Sequence, residues 1–321
     1  MSDKKEIRTG VIGVGSMGQN HARVYSEISN LVGISDPDEN QGKMIADRFG
    51  IKYFKNIEDL LKEVDAVSIA APTIYHEQIS KSCCDAGVHI LVEKPLSNNF
   101  PDAKKIKDYV ENAGLILAVG HIERFNPVIS YAKREIESGN WGRIITMSSK
   151  RVSKFPGRIR DVGVVFDLAI HDLDILSYLA SSSFESIYSV GGKIEYPDKE
   201  DHVSVIINYK NGINAICEVN WLTPMKIRQL TLTCTKAYVV LDYTEQKIKI
   251  FKSKIGTPDL GNLWDLTSEI SEDTITLEKR EPLKLELEDF LNAIVTKSNP
   301  LVGADSGIRA VEMAELITGQ L

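Results

Sequence analysis

Residues 7–18 read Ile7-Arg8-Thr9-Gly10-Val11-Ile12-Gly13-Val14-Gly15-Ser16-Met17-Gly18. A β-prone run, 7–12, enters a G-x-G-x-x-G turn, and a helical pattern follows from about Met17 to Ser29. The glycine pattern alone is weak. Placed between a strand and a helix at the start of a βαβ unit, it predicts a dinucleotide site. Gly13 permits the tight turn, Gly15 lets the backbone approach a pyrophosphate, and Gly18 lets helix and strand pack closely. The helix N-terminus adds N–H groups and a partial positive charge. Gly13, Val14, Gly15, Ser16 and Met17 are therefore the expected phosphate cradle.

The next strand, 31–35, ends at Asp36-Pro37. A carboxylate there bonds ribose hydroxyls and repels a 2′-phosphate, so NAD is expected over NADP. The plainer alternative is a turn residue. Further along, 38–49 look helical, 64–70 extended up to Ala71-Pro72-Thr73, and 75–86 helical. Then 89–92 look extended up to Glu93-Lys94-Pro95, 101–112 helical, and 115–119 extended up to Gly120-His121. This alternation predicts a doubly wound parallel sheet, with ligands at the C-terminal strand ends.

Past residue 121 the rhythm changes. Helices are expected at 126–138 and 165–180, and a strand at 143–152. Six further β-prone runs follow between 186 and 252, with Asn211-Gly212 as a hairpin signal. The stretch 253–280 has no readable pattern, and helices return at 282–297 and 304–319. The expected fold class is α/β, a Rossmann domain over 1–122 and an α+β domain with a large, mostly antiparallel sheet over 123–321. The second is expected to bind substrate and to mediate oligomers.

Composition agrees with two globular domains: 321 residues, 43% apolar and 26% charged, with net charge -7. The acidic balance argues against a general nucleic-acid binder. Four cysteines without a CxxC pair argue against structural zinc and fit a reducing compartment. No apolar run is long enough to span a membrane, and Met1–Glu6 has no apolar leader, so a cytoplasmic protein is expected.

Lys94, at a strand end, faces the cofactor edge of the sheet, and Pro95 suggests a rigid turn, by a cis bond for instance. Asp167 and His171 stand four apart on a helical pattern flanked by Leu168, Ala169, Ile170 and Leu173. Such an apolar helix is buried, so its polar stripe must face a cavity or a partner charge. Histidine suits removal of a hydroxyl proton, because its pKa lies near working pH. The bland reading is a core histidine beside an aspartate. In 121–127, Arg124 and Asn126 are candidates for substrate contact, though Asn126-Pro127 also reads as a plain helix start. The run 150–160 carries five basic residues, Arg151 and Arg158 among them, which suits an anionic substrate or a solvated loop.

Taken together, Gly13–Gly18, Glu93-Lys94-Pro95, Gly120-His121, Arg124–Pro127 and Asp167-x-x-x-His171-Asp172 resemble the Gfo/Idh/MocA oxidoreductases over nearly the whole chain. The resemblance implies an NAD-dependent enzyme acting on a CH–OH group, with Lys94, Asp167 and His171 catalytic. It implies that Ala71, Thr73, His76, Glu93 and Lys94 line the cofactor, that no metal is used, and that the chain forms a homodimer or homotetramer. Within the family, 121–127 and 155–158 look most like members that oxidise the 3-hydroxyl of UDP-N-acetylglucosamine. UDP-N-acetylglucosaminuronate, inositol and glucose are alternative substrates. Rival classes are a non-catalytic NAD sensor, an NAD-assisted glycosidase, and a metal-dependent hydrolase using His121, Glu123, Asp167 and His171.

Overall fold

The computed structural model describes residues 6–155, 162–255 and 268–321. It divides into two compact units, 1–125 with 281–315, and 126–280 with 316–321.

In the first unit the elements run β1 (Arg8–Ile12), α1 (Ser16–Ile28), β2 (Asn30–Ser35), α2 (Glu39–Phe49), β3 (Lys52–Phe54), α3 (Ile57–Leu61), β4 (Ala66–Ile69), α4 (His76–Asp85), β5 (His89–Glu93), α5 (Phe100–Ala113) and β6 (Leu117–Gly120). The sheet is parallel, in the order β3-β2-β1-β4-β5-β6. The order reverses between β1 and β4, which is where such sheets bind dinucleotides. The three-residue edge strand β3 and the short α3 carry too few residues for a periodic signal and escape the sequence reading.

Helix starts follow local chemistry. Asp38 caps α2 by accepting from Asn40 and Gln41 N–H at 3.0 and 3.1 Å. Asn99 caps α5 by accepting from Asp102 N–H at 2.8 Å. Helix α1 is different: Gly15 offers it no side-chain cap, and its first turn holds no acidic residue. Its end is kept for another negative group.

The second unit holds α6 (Pro127–Glu137), β7 (Ile144–Lys154), a π-helical turn (Val165–Ala169) running into α7 (Ile170–Ala180), then β8 (Phe184–Gly192), β9 (His202–Tyr209), β10 (Asn214–Asn220), β11 (Leu222–Cys234), β12 (Tyr238–Asp242), β13 (Lys247–Ile255) and β14 (Ser268–Thr276). These strands form one eight-stranded sheet, β14-β13-β12-β11-β7-β10-β9-β8. Only β7 and β10 pair in parallel. The hairpin at Asn211-Gly212 forms, but with three loop residues: Tyr209 N–H donates to Ile213 O at 2.9 Å, and Gly212 takes φ +85°. Strand β14 falls within the stretch whose sequence has no readable pattern. Alternation sorts the faces: Ser149, Arg151, Cys217 and Val205 are buried, while Ser148, Lys150, Ile216 and Ile206 are exposed.

The division differs from the expected 1–122 and 123–321. Helix α8 (Pro282–Thr296) packs on α1, and α9 (Ala304–Thr318) completes the chain. Leu283, Leu287, Phe290 and Leu291 of α8 share one core with Val11, Val24, Tyr25 and Ile34. Their apolar stripe belongs to the first unit, which no pattern inside α8 itself reveals. Among the described residues no helix is long and apolar enough to cross a membrane.

Candidate active site

The glycine turn has the shape a diphosphate requires. Gly13 takes φ +84°, and a Cβ on it would stand 2.8 Å from Ala71 N. A Cβ on Gly18 would stand 1.9 Å from Gly13 O, so these two positions exclude side chains. Around Gly15, by contrast, a Cβ would meet nothing within 4 Å. Closeness is thus used to bring strand and helix together, and openness is left where a ligand backbone comes in. With the uncapped α1 end, this cradle fits the diphosphate of NAD. Asp36 stands at the end of β2. Its Oδ2 accepts from Val14 N–H at 2.7 Å and its Oδ1 from Asp38 N–H at 2.9 Å. The carboxylate braces the glycine turn, and Tyr53 Oη–H fixes the Asp36 carbonyl at 3.0 Å.

At the end of β5, Lys94 is half-buried and Lys94-Pro95 is cis, as the sequence suggested. Behind it runs a buried polar chain that the sequence reading missed. Tyr25 Oη and Ser68 Oγ lie 2.9 Å apart, Ser68 Oγ lies 2.9 Å from His21 Nδ1, and His21 Nε2 lies 2.8 Å from Glu93 Oε1. Lys94 N–H donates to Glu93 Oε2 at 3.1 Å. Burial works against the Glu93 anion. The His21 hydrogen bond and the His21 and Lys94 charges outweigh it and hold the carboxyl below the usual range. Glu93 is only 7% exposed, so it supports the lysine turn from beneath. The signal for His21 was present: a histidine on the helix face that also carries Gly18, Ala22, Val24 and Tyr25, all buried.

His76 corrects an expectation. It is 1% exposed and its ring is spent on backbone. Nε2 lies 2.9 Å from Ala71 O, and Nδ1 lies 3.0 Å from Pro95 O and 3.3 Å from Leu96 O. Burial pushes its pKa down, against the pull of these carbonyls. The ring is packed between the segment after β4 and the segment after β5. Thr73 is buried in the turn Thr73–Tyr75, and Ala71 is partly exposed. Arg124 is buried in the first unit, with Nη1 donating to Leu301 O at 3.4 Å.

In the second unit, Asp167 lies in the π-helical turn, a widened turn that often occurs at functional sites. His171 follows in α7. From Ile170 to Ala180 only His171 and Tyr178 are even partly exposed, so the helix is closed except at this imidazole and a phenol. Asp167 is 7% exposed, and its Oδ2 accepts from Trp221 Nε1–H at 3.2 Å. His171 is thus partly exposed, while Asp167 is held deep.

Two expected substrate contacts are turned inward. Arg151 is 1% exposed, and its Nε donates to Asp172 Oδ2 at 2.5 Å while Nη2 reaches Oδ1 at 3.4 Å. Its guanidinium also lies over the Tyr243 ring, 5.3 Å from the centroid. Strand parity points Arg151 at α7, while its neighbour Lys150 faces out, paired with Glu218. Asn126 caps α6, accepting from Val128 N–H at 3.3 Å, and donates to Tyr243 O at 3.1 Å, so the plain helix-start reading holds. Arg158 lies outside the described residues. Among the described residues, no three His, Cys, Asp or Glu side chains are grouped to hold a metal ion.

Residues 7–121 match the family model described as the oxidoreductase family, NAD-binding Rossmann fold, and residues 129–240 match the GFO/IDH/MocA C-terminal domain. The chain belongs to the Gfo/Idh/MocA oxidoreductase family. It is an oxidoreductase that uses NAD. A UDP-N-acetylglucosamine 3-dehydrogenase of Acidithiobacillus ferrooxidans is 31% identical over 309 residues, which cover 96% of this chain and 95% of that one. Its solved structure superposes with a TM-score of 0.89 at 29% identity, over 98% of this chain and 97% of that one. A scyllo-inositol 2-dehydrogenase (NAD(+)) of Bacillus subtilis is 26% identical, over 92% of this chain and 89% of its own.

Proposed function

We propose that this oxidoreductase oxidises a secondary hydroxyl of a sugar nucleotide, the 3-hydroxyl of UDP-N-acetylglucosamine, to a ketone. The observation that carries it is the partial exposure of His171 on a helix whose other residues, Tyr178 apart, are buried. An imidazole so placed is available to take a hydroxyl proton. The sugar is argued from the similarity to the Acidithiobacillus enzyme, which spans nearly the whole of both chains. An inositol dehydrogenase is the second reading, favoured by the Bacillus relative.

Bound NAD supplies the hydride acceptor. The residues of this chain do the rest. Gly13–Met17 hold the diphosphate and Asp36 the adenosine ribose. Lys94 donates a hydrogen bond to the reacting hydroxyl and polarises it. His171 takes the hydroxyl proton as the C–H bond breaks, with Asp167 as its partner. Arg124 and Arg158 remain proposed substrate contacts. Arg151 and Asn126 leave that set, because their polar groups serve the protein itself. Four cysteines present as free thiols fit a reducing cytoplasm.

The test is to mix protein and NAD with UDP-N-acetylglucosamine, its uronate, glucose and inositols, and to follow the near-ultraviolet absorbance of reduced nicotinamide. Turnover restricted to inositols would replace the nucleotide-sugar reading. Asp36→Ala should lower the NAD-over-NADP ratio of kcat/KM by about ten- to a hundredfold, the worth of hydrogen bonds to a charged group. An unchanged ratio would leave Asp36 as a turn residue.

The exposed face of the second sheet supports a homodimer or homotetramer. Tyr188, Ile206 and Ile216 lie in one row across β8, β9 and β10, with Val190 in the next row, at 62%, 49%, 50% and 78% exposure. Apolar side chains gathered like this mark an interface. Ile206→Glu with Ile216→Glu should dissociate the oligomer in sedimentation experiments. A wild-type sedimentation coefficient in the double variant would move the interface elsewhere.

A further inference from the structure

Trp221 directly follows β10 and continues its inward parity after Cys217 and Val219. Its backbone N–H donates to Asp201 O at 2.9 Å. Asp201 is itself fully buried. Its Oδ2 accepts from Ile194, Glu195 and Tyr196 N–H at 2.7, 2.7 and 3.2 Å. That carboxylate folds the 194–196 segment around itself and delivers Tyr196 to the indole. The two rings meet edge-on at 6.1 Å and 89°, and Phe155 closes another side at 5.0 Å and 68°. An indole gripped this way has one polar atom, and it is a donor only. That atom meets Asp167 Oδ2 at 3.2 Å, with both residues buried.

We propose that Trp221 is a positioning residue of the reaction, whose indole N–H fixes the Asp167 carboxylate in the one orientation that serves His171. The proposal rests on the reading of Asp167 and His171 as active-site partners. The Asp167 backbone N–H is held by Gly163 O at 3.0 Å, which fixes the turn but not the rotation of the carboxylate about its side-chain bonds. A rigid donor just past the end of β10 supplies the constraint that the helix does not. Loss of the donor leaves the charge in place and removes the indole's hold on the carboxylate. Misplacement of a catalytic group by a fraction of its reach is costly: about 1 Å is worth roughly a hundredfold in rate.

The experiment is a double-mutant cycle on the full-length protein with Trp221→Phe and Asp167→Ala. Trp221→Phe keeps an aromatic ring and removes the donor. It is expected to lower kcat by about ten- to a hundredfold, with KM for NAD and the melting temperature little changed. In the Asp167→Ala background it should cost nothing further, because the group it positions is gone. Additive losses would overturn the proposal and leave Asp167 in the site. Wild-type turnover by Asp167→Ala would overturn both the proposal and the reading beneath it. Trp221→Met, which also lacks a donor, takes the same place in the cycle if phenylalanine packs poorly. Independently, the 15N resonance of the Trp221 indole should move in Asp167→Ala, and an unmoved resonance also counts against the proposal.

Discussion

Replacing His171 by alanine is expected to lower kcat by about two to four orders of magnitude, the range a general base supplies. The site it occupies makes the prediction specific. Helix α7 buries Asp172, Asp174 and Ser177 along with its apolar residues, so its polar groups are mostly committed to the interior. His171 is a polar group of α7 that opens outward. Removing it takes little from the core, so the melting temperature should move by only a few degrees. NAD affinity should hold, since the cradle from Gly13 to Met17 belongs to the other unit. Steady-state kinetics beside an NAD titration separate these effects. Added imidazole should restore part of the rate if the loss is of a proton acceptor. A variant that turns over like the wild type would remove His171 from the chemistry.

The next residue along the chain is predicted to behave in the opposite way. Asp172→Ala should destabilise the second unit by about 3–5 kcal/mol, the usual cost of stranding one member of a buried ion pair. Asp172 and Arg151 are each 1% exposed, and their contact is two-pronged. With the carboxylate gone, the Arg151 guanidinium loses its two-pronged acidic partner while staying buried over the Tyr243 ring. Combining Asp172→Leu with Arg151→Met should recover most of the loss, because an apolar pair of similar volume avoids desolvating two charges. Urea unfolding with a probe in the second unit measures both. A loss below about 1 kcal/mol in Asp172→Ala would show that the charge is relieved by water or by movement.

These two neighbours show what a linear reading can and cannot see. Both sit in the run Asp167–Asp174, and both carry polar groups in an apolar setting. The sequence rightly marks the run as exceptional, because such groups are tolerated in an apolar helix only with a purpose. It does not tell which purpose belongs to which residue. That depends on which side of α7 meets β7 and β10. The basic run at 150–160 is the mirror case. Read linearly it is one cationic patch. Strand pleating splits it, with Lys150 outward to Glu218 and Arg151 inward to Asp172. The side chains of His76 and Asn126 likewise answer to backbone groups brought near by folding.

By itself the sequence determined the parallel sheet, the glycine cradle, the acid at the end of β2, the lysine turn after β5 and the large antiparallel sheet. Each of these is local: periodicity, turn chemistry and short spacing act within one or two elements. Only the tertiary structure decided that α8 joins the first unit, that Arg151 pairs with Asp172, that Glu93 rests on His21, and that Trp221 meets Asp167. These contacts join residues distant along the chain. Their energies come from burying charge and hydrogen-bonding groups together, and no element carries that information until the others pack against it.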